Sequence, residues 1–469
     1  MFQPIAKPQE PASERRLAFV IATLLGSGAT FGATAAVAAP AAVTSCADDG
    51  GFDTLRHAVL TSNAGDTIDL GTAGCGTITL SAAIPINFAP LTIIGPGADK
   101  LTIDANGVDR VFVNNTTSAL TLTDLTISHG AHQTTGDAFG GCVYSKGTVT
   151  LQRSVVSHCS ATGKANVKGG GVFSAMDVQG YGSTISDSHG FADAGSLLTA
   201  GGAIYAQGTI TLHDSIVSGN TAMTTSGHAY GGAMMAAQIT VKYSTLSGNT
   251  ASGNGSGNAV GGALRSSTLA AVINSTLDHN SADIGGAISA IGAGGTLGIV
   301  QSTISSNTAN TGIGQAISAN VNTEIDNSTI AFNTGGVFST GVWIANASAV
   351  TVTLNSTIIA NNTALDIDVF NPMQIGGGSN LVRLAGNGAK LPGGTVILDP
   401  KLGPLAYNGG TMRTHAIDAT SPAIEAGSNP DNFTVDQRGP AYRRVVNTID
   451  IGAFEFDGDH IFGCGFESH

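Results

Sequence analysis

The sequence predicts an all-β protein, a right-handed parallel β-helix of about a dozen coils. Three observations lead to this prediction. One phrase recurs about eight times between Gly140 and Thr363, at a spacing of roughly thirty residues that is typical of a solenoid. Each copy contains three short stretches in which apolar and polar residues alternate, which is the period of a strand. The copies are rich in Gly, Ser, Thr and Asn, which disfavours a helical or leucine-rich solenoid.

The first stretch of each copy follows a Gly-Gly phrase and begins with an apolar residue. If each copy is one coil, equivalent positions stack about 4.8 Å apart. We expect the apolar residues to form a column that faces the core. This first column comprises Val143, Val172, Ile204, Met234, Leu264, Ile288, Ile317 and Val342.

The last stretch of each copy carries three further columns. We expect the second aliphatic column to consist of Val156, Val217, Leu246, Leu277, Ile304, Ile330 and Ile358. The serines two residues earlier are Ser154, Ser215, Ser244, Ser275, Ser302, Ser328 and Ser356, and they should point inward and bond backbone at a corner. The asparagines at the following turn are Asn220, Asn249, Asn280, Asn307, Asn333 and Asn361. Stacked amides can pair along the axis, so we interpret both polar columns as structural.

The first 38 residues are predicted to be a signal peptide. Arg15 and Arg16 precede an apolar run, and Ala36-Val37-Ala38 offers small residues for cleavage. A twin-arginine signal and a lipoprotein signal at Cys46 are the alternatives. No later stretch is apolar for the eighteen or more residues that a membrane helix needs.

Residues 39–76 are expected to form an N-terminal cap, followed by the β-helix over residues 77–397. Within the cap, Leu55, Ala58 and Val59 have helical spacing, and Gly65 suits a helix stop. We expect a helix within Phe52–Ala64 to close the open end of the core.

Five cysteines are typical of an oxidising compartment, where disulfides persist. Cys46 and Cys75 flank the predicted helix, and a bridge between them would hold it in place. Cys142 and Cys159 are a second plausible pair, because the end of a coil lies near its start. Cys464 is left over, and it is either free or joined to another chain.

The repeat stops at Leu398, where the composition changes. Solenoids need atypical terminal units to cover the last coil, so we expect residues 398–456 to be a C-terminal cap. Residues 457–469 would then be a tail.

Several of these phrases resemble known bacterial families. The start, Cys46-Ala-Asp-Asp-Gly-Gly-Phe-Asp-Thr-Leu-Arg-His-Ala, is similar to the opening of CSLREA-type β-helix surface proteins, with a departure at His57. The GGAI openings at Gly201 and Gly285 resemble polymorphic outer membrane protein repeats, and the C-terminal phrases SPAIEAG, VDQRGPAYRR and IDIGAFE resemble a choice-of-anchor Q domain. The resemblance implies a secreted or cell-surface right-handed β-helix with an attachment tail, and it implies no catalytic residues.

Catalysis has little support in the sequence. A polysaccharide lyase or glycoside hydrolase is the alternative function, but such sites need paired carboxylates or a calcium-binding acidic cluster beside a base. Asp366 and Asp368 are the only close acidic pair late in the repeats, and a solvated turn explains them better. His129 and His132 are the nearest approach to a metal-binding pair, and we interpret them as solvated. We therefore predict no catalytic residue, no metal and no cofactor.

Binding has more support. Tyr144, Phe173, Tyr205 and Trp343 fall in one outward column with Met235, and they are the candidate ligand-binding residues, as a strip on which sugars could stack. A packing ladder beneath the inserts is the favoured alternative. The inserts are expected to be aligned loops that all leave the coil at one corner, the usual recognition side of a solenoid. They are 161–168, 190–200, 221–230 and 250–260.

The formal charge of −13 makes nucleic acid and anionic lipid poor partners. The sequence thus favours a secreted or cell-surface adhesin or structural module, with an extracellular glycan or a cell-surface component as its partner. Surface attachment would be through the tail, at Ile461-Phe-Gly-Cys-Gly-Phe-Glu.

Overall fold

The structure is a computed structural model that describes residues 41–458, except 194–197, 254–257, 337–338 and 346–349. All described residues belong to one compact unit, Ala39–His469. The expected signal peptide, Cys464 and most of the expected tail lie outside the described residues. None of the described helices is long and apolar enough to cross a membrane.

Three sheets make up most of the described chain, and nearly every strand is short. Sheet 1 has twenty strands: Ala41–Ala42, Thr67–Asp69, Ile84–Ile86, Leu91–Ile94, Phe112–Asn114, Leu120–Thr123, Val143–Ser145, Val149–Gln152, Val172–Ser174, Val178–Tyr181, Ile204–Ala206, Thr209–His213, Met234–Lys242, Leu264–Ile273, Ile288–Val300, Ile317–Asp326, Thr340–Ile344, Val352–Asn355, Leu365–Val369 and Gly376–Gly378. Sheet 2 has twelve: Thr77–Thr79, Thr102–Asp104, Thr126–Ser128, Val155–Ser157, Thr184–Ser186, Ile216–Ser218, Thr245–Ser247, Thr276–Asp278, Thr303–Ser305, Thr329–Ala331, Ile358–Ala360 and Leu381–Val382. Sheet 3 has thirteen: Ala131–Gln133, Ala138–Phe139, Ser160–Gly163, Asn166–Lys168, His189–Ala192, Leu198–Ala200, Thr221–Thr224, His228–Tyr230, Thr250–Ser252, Ala259–Val260, Ser281–Ile284, Thr308–Ile313 and Thr334–Gly335.

Two small strand pairs and one helix complete the secondary structure of the described chain. The pairs are Met373–Gln374 with Ala389–Lys390, and Leu402–Tyr407 with Arg413–Ile417. The helix is Leu55–Thr61.

The predicted parallel β-helix is confirmed. Each full coil contributes two short strands or one long strand to sheet 1 and one strand to sheet 2, and every pairing within these sheets is parallel. The first aliphatic column is in the predicted register from Val143 to Val342 and is fully buried. Burial of such columns in each coil removes apolar surface from water continuously along the stack.

Two buried polar ladders run beside the aliphatic core. The side-chain amide of each asparagine donates to Oδ1 of the asparagine in the next coil at 2.8 or 2.9 Å. This ladder comprises Asn220, Asn249, Asn280, Asn307, Asn333 and Asn362. In the second ladder, each serine N–H donates to Oγ of the serine in the next coil at 3.0 to 3.2 Å. Both polar columns are therefore structural, as predicted.

The last predicted copy is displaced by one residue. We expected Ser356, Ile358 and Asn361 to continue the columns, but the structure places Thr357, Ile359 and Asn362 there. The doublets in Ser-Thr-Ile-Ile-Ala-Asn-Asn allow either register. The choice is made by the preceding strand, because Val352–Asn355 pairs with Thr323–Asp326 and sets where the next turn begins.

The inserts leave the coil at one corner, as predicted, but they are ordered strands rather than loops. Each insert sends one strand out and brings one back, for example Ser160–Gly163 and Asn166–Lys168, and we call such a pair an arm. Arms of successive coils stack in parallel to form sheet 3. Small side chains pack between the outgoing and the returning strands of the arms. They form two clusters, one of Ala138, Ala161, Val167 and Ala192 and one of Ala229, Ala251, Ala259 and Ala282.

At the N-terminal end, the helix packs on the core through Leu55, Ala58 and Val59, as predicted. The helix ends at Thr61, so Gly65 does not cap it. The stack itself begins earlier than residue 77, since Thr67–Asp69 already pairs with Leu91–Ile94.

Both expected disulfides are present, Cys46–Cys75 and Cys142–Cys159. Arg56 of the Thr-Leu-Arg-His-Ala phrase also ties the helix to the coil. Its guanidinium pairs with Asp48 at 2.8 Å and donates to the Ala83 carbonyl at 3.0 Å. That phrase therefore has a structural role in this protein.

Residues 398–458, which we call the C-terminal segment, follow the last coil in the chain and fold back along the earlier coils. They lie along the outward face of sheet 2, and their contacts reach as far back as Thr245, whose hydroxyl donates to Met412 Sδ at 3.5 Å. Gln437 donates to the Ser275 carbonyl at 3.1 Å, and His415 bonds Ser305 at 2.8 Å.

Apolar residues of 365–391, including Val369, join the end of the main core.

Candidate functional site

A concave corner lies where the arms meet the coil, and we call it the groove. One side is the coil column of Tyr144, Phe173, Tyr205, Met235 and Arg265, which pair in register in sheet 1. The other side is the arm column of Phe139, Lys168, Ala200, Tyr230 and Val260, which pair in register in sheet 3. Side chains of the two columns meet across the corner.

Tight glycine turns create this corner. Gly201 has φ +65°, and a Cβ there would lie 2.0 Å from the carbonyl oxygen of Ile204. Gly140, Gly169, Gly231 and Gly261 repeat this geometry. The turn brings the residue just before the Gly-Gly phrase close to the residue four positions after its first glycine, because no side chain intervenes.

The aromatic rings of the groove form a stack. Tyr144 lies 5.3 Å from Phe173 and Phe173 lies 5.7 Å from Tyr205, measured between ring centroids, with the planes within 6° of parallel. Phe139 of the arm column stacks on Phe173 at 4.9 Å. Phe173 is only 3% exposed, so it supports the stack and has no free face for a ligand. Tyr144 and Tyr205 are half-buried and keep part of their surface in solvent.

Trp343 belongs to the same column but lies apart from the stack. It pairs in register five steps beyond Tyr205, about 24 Å at the ordinary strand spacing. Its ring contacts Phe370 at 6.2 Å. The structure thus brings Tyr144, Phe173 and Tyr205 together and leaves Trp343 outside the groove.

Three cations lie over the rings of the groove. The Arg110 guanidinium is 5.4 Å from the Tyr144 ring, and the Arg265 guanidinium is 3.9 Å from the Tyr230 ring. The Lys168 ammonium lies 4.8 Å from Tyr205. Such cation–π contacts hold both partners in a fixed arrangement.

Sequence reasoning missed five groove residues: Phe139, Lys168, Tyr230, Arg110 and Arg265. Three of them, Phe139, Lys168 and Tyr230, directly precede a Gly-Gly phrase. That position is a usable signal. It was not recognised because the inserts were expected to be loops without a fixed register.

His129 and His132, the two histidines closest to a metal-binding pair in the sequence, lie in different environments. His129 contacts Asp104 at 3.2 Å and stacks on His158 at 5.3 Å, beside an open cavity of about 420 Å³. Burial, and then Arg110, lower the pKa of His132 to about 4. No group of three or more His, Cys, Asp or Glu side chains is placed to hold a metal ion in the part of the chain that the structure describes.

Asp366 was expected in a solvated turn, but the structure buries it. Asp366 is 2% exposed rather than solvated, because its carboxylate accepts from the Asn362 amide at 2.9 Å and ends the asparagine ladder. Asp326 is 1% exposed. Burial and then Glu324 raise the pKa of Asp326 well above its ordinary value. Neither buried carboxylate is accessible to a polysaccharide.

Comparison with known proteins gives little further guidance. No family model matches the chain, so the three family resemblances remain predictions. No curated protein matches it. Among solved structures, the crystal structure of the pectate lyase Pel9A is similar with a TM-score of 0.43 and 12% identity, over 89% of this chain and 97% of that chain. At that level of similarity we base no argument about function on it.

Proposed function

We propose that this protein is a secreted or cell-surface β-helix protein, an adhesin or structural surface module, that binds a glycan through the groove. The observation that carries the proposal is the pair of half-buried rings, Tyr144 and Tyr205, which are held in one stack in the groove and keep part of their surface in solvent. A tyrosine offers an apolar face and a hydroxyl together, which suits a ligand with both apolar and hydroxyl surfaces. Concave sites with aromatic walls and a few fixed polar groups are typical of ligand binding.

Two further observations support the extracellular part of the proposal. The two disulfides are expected of an oxidising compartment. The predicted signal peptide has the same implication. Attachment to a surface through the tail remains part of the proposal.

A glycan array probed with the mature protein tests the binding proposal. We expect Tyr205→Ala to weaken binding to any glycan found by about ten-fold, the loss of one aromatic contact. Tyr181→Ala is the matched control, because Tyr181 is 42% exposed on a strand that does not line the groove. Equal binding by the native protein and Tyr205→Ala would contradict recognition in the groove. An absence of binding by all three proteins would favour a purely structural module.

The alternative is an extracellular polysaccharide lyase or glycoside hydrolase. The same preparations, incubated with acidic and neutral polysaccharides, test it through release of reducing ends or unsaturated products. Product release would replace the binding proposal with an enzymatic one.

A further inference from the structure

We propose that the groove selects an anionic glycan, one that carries carboxylate or sulfate groups, and that Arg265 and Lys168 bind those groups. This inference rests on the proposed function, since it names the class of ligand for the same groove.

Arg265 supplies the first argument. Its guanidinium lies flat over Tyr230, and its buried Nε has no hydrogen-bond partner among the described residues. A buried donor without a partner is destabilising, and a guanidinium can donate up to five hydrogen bonds. Burial also lowers the pKa of Arg265, which indicates that the charge is held away from bulk water. An anionic acceptor would satisfy the Nε donor and neutralise the charge.

Lys168 supplies the second argument. Its ammonium lies between the rings of Phe139 and Tyr205, at 5.6 and 4.8 Å from their centroids. Neither Lys168 nor Arg265 takes part in an ion pair with any described carboxylate. Arginines elsewhere in the described chain do find such partners, as Arg153 does with Asp124 at 2.6 Å.

The spacing of the two cations suits an extended ligand. Lys168 lies in the same coil as Phe173, and the strand that carries Arg265 lies three coils further, about 14 Å away at the ordinary strand spacing. The two side chains lean along the groove, the ammonium against Tyr205 and the guanidinium against Tyr230, so the charges are closer together than the strands. The exposed part of Tyr205 lies between them. A glycan chain lying along the groove could therefore contact the exposed part of Tyr205 and present acidic groups to both cations.

The acidic character of the protein does not oppose this arrangement. The formal charge is −13, but charges on solvent-exposed groups are screened beyond about 8 Å at physiological salt. Asp109 is the carboxylate that acts on Arg110, at the far end of the groove from Arg265. Charge-assisted hydrogen bonds are about twice as strong as neutral ones, so nearby cations dominate recognition.

Titration of the mature protein with three matched oligosaccharides tests the inference: a β-linked glucuronate oligomer, the glucose oligomer of the same linkage and length, and its sulfated derivative. We expect the charged oligomers to bind more tightly than the glucose oligomer, by about ten-fold for each cation engaged. Arg265→Gln and Lys168→Gln should each lower the preference for the charged oligomers over the glucose oligomer by about one such factor. Comparison of the two charged oligomers identifies whether carboxylate or sulfate is preferred.

Lys164→Gln is the matched control, because Lys164 is an exposed lysine at the tip of the same arm. Its removal changes the net charge equally and should not change affinity. Equal affinity for charged and uncharged oligomers, or equal losses in Lys164→Gln and Lys168→Gln, would overturn the anionic preference while leaving glycan binding intact. If none of the three oligomers binds, and a glycan array is also negative, the proposed function fails as well. A thermal unfolding midpoint equal to that of the native protein shows that each variant is folded.

Discussion

Individual buried charges make the stability of the C-terminal segment depend on pH. Glu455 is 1% exposed, and burial, with Asp450, raises its pKa to about 8. The Arg444 guanidinium, 4.0 Å away, lowers this pKa only partly. Because the pKa in the folded state is raised, protonated Glu455 contributes stability at low pH. That contribution is lost as the pH rises from about 4.5 to about 8.

Glu455→Gln mimics the protonated side chain, so it tests this coupling. We expect the variant to match the native protein near pH 5 and to be more stable than it near pH 9. Thermal unfolding followed across that range measures the difference. Asp399→Asn is the control, since Asp399 is exposed in the same segment and should leave the profile unchanged. A native protein that gains stability from pH 5 to pH 9 relative to Glu455→Gln would contradict the assignment.

The asparagine ladder links neighbouring coils. Asn280 is fully buried, accepts from the Asn249 amide at 2.9 Å and donates to Asn307 at the same distance. Its Oδ1 also accepts the backbone N–H of Asn249 at 3.0 Å. Removing one member therefore leaves donors of the preceding coil without partners.

We expect Asn280→Ala to destabilise these coils by about 3 kcal/mol or more, because at least two buried donors lose their acceptor. Hydrogen exchange of the Asn249 amide and chemical denaturation measure the effect locally and globally. Asn310→Ala is the control, since Asn310 is exposed and makes a long 3.3 Å contact with Asp283. Equal losses in the two variants would show that the ladder has no special contribution.

Elements that repeat could be predicted from the sequence, and elements stabilised by distant pairing could not. The column from Val143 to Val342 was correct because each copy reports the same register independently. The register predicted for the copy at Ser356 was wrong, because its Ser-Thr, Ile-Ile and Asn-Asn doublets fit two registers. The strands of the arms were not predicted, because their Gly- and Ala-rich sequences have little intrinsic β-propensity. They form only where the next coil supplies backbone partners.

The candidate site was predicted only in part for the same reason. The tyrosines of the coil column follow from the repeat. Their partners Phe139, Lys168 and Tyr230 depend on the arms returning to the coil.

On the scale of the whole molecule, the C-terminal segment binds the coils together along sheet 2. Arg413 contacts Asp278, a fully buried carboxylate, at 2.5 Å. The hydroxyl of Thr276 in the same coil donates to the Arg413 carbonyl at 2.8 Å. This contact joins positions more than 130 residues apart in the chain, so the segment couples coils that are not neighbours.

We expect Arg413→Gln to loosen the segment by about 3 kcal/mol, because it leaves the buried Asp278 carboxylate with the His279 ring, at 2.8 Å, as its remaining side-chain contact. Limited proteolysis should cleave residues 398–458 faster in this variant. Arg153→Gln is the control, since its pair with Asp124 is exposed and screened by solvent, and its loss should not change proteolysis. Unchanged proteolysis of Arg413→Gln would contradict this account of the segment.

The central claim is that recognition takes place in the groove, and hydroxyl-radical footprinting with a bound glycan tests it most directly. The method oxidises accessible Tyr and Met side chains. We predict that saturating glycan protects Tyr144, Tyr205 and Met235 and leaves Met176 and Tyr407, which are 45% and 71% exposed elsewhere, fully reactive. Protection confined to Met176 or Tyr407, with the groove residues still oxidised at the rate of the free protein, would contradict the account.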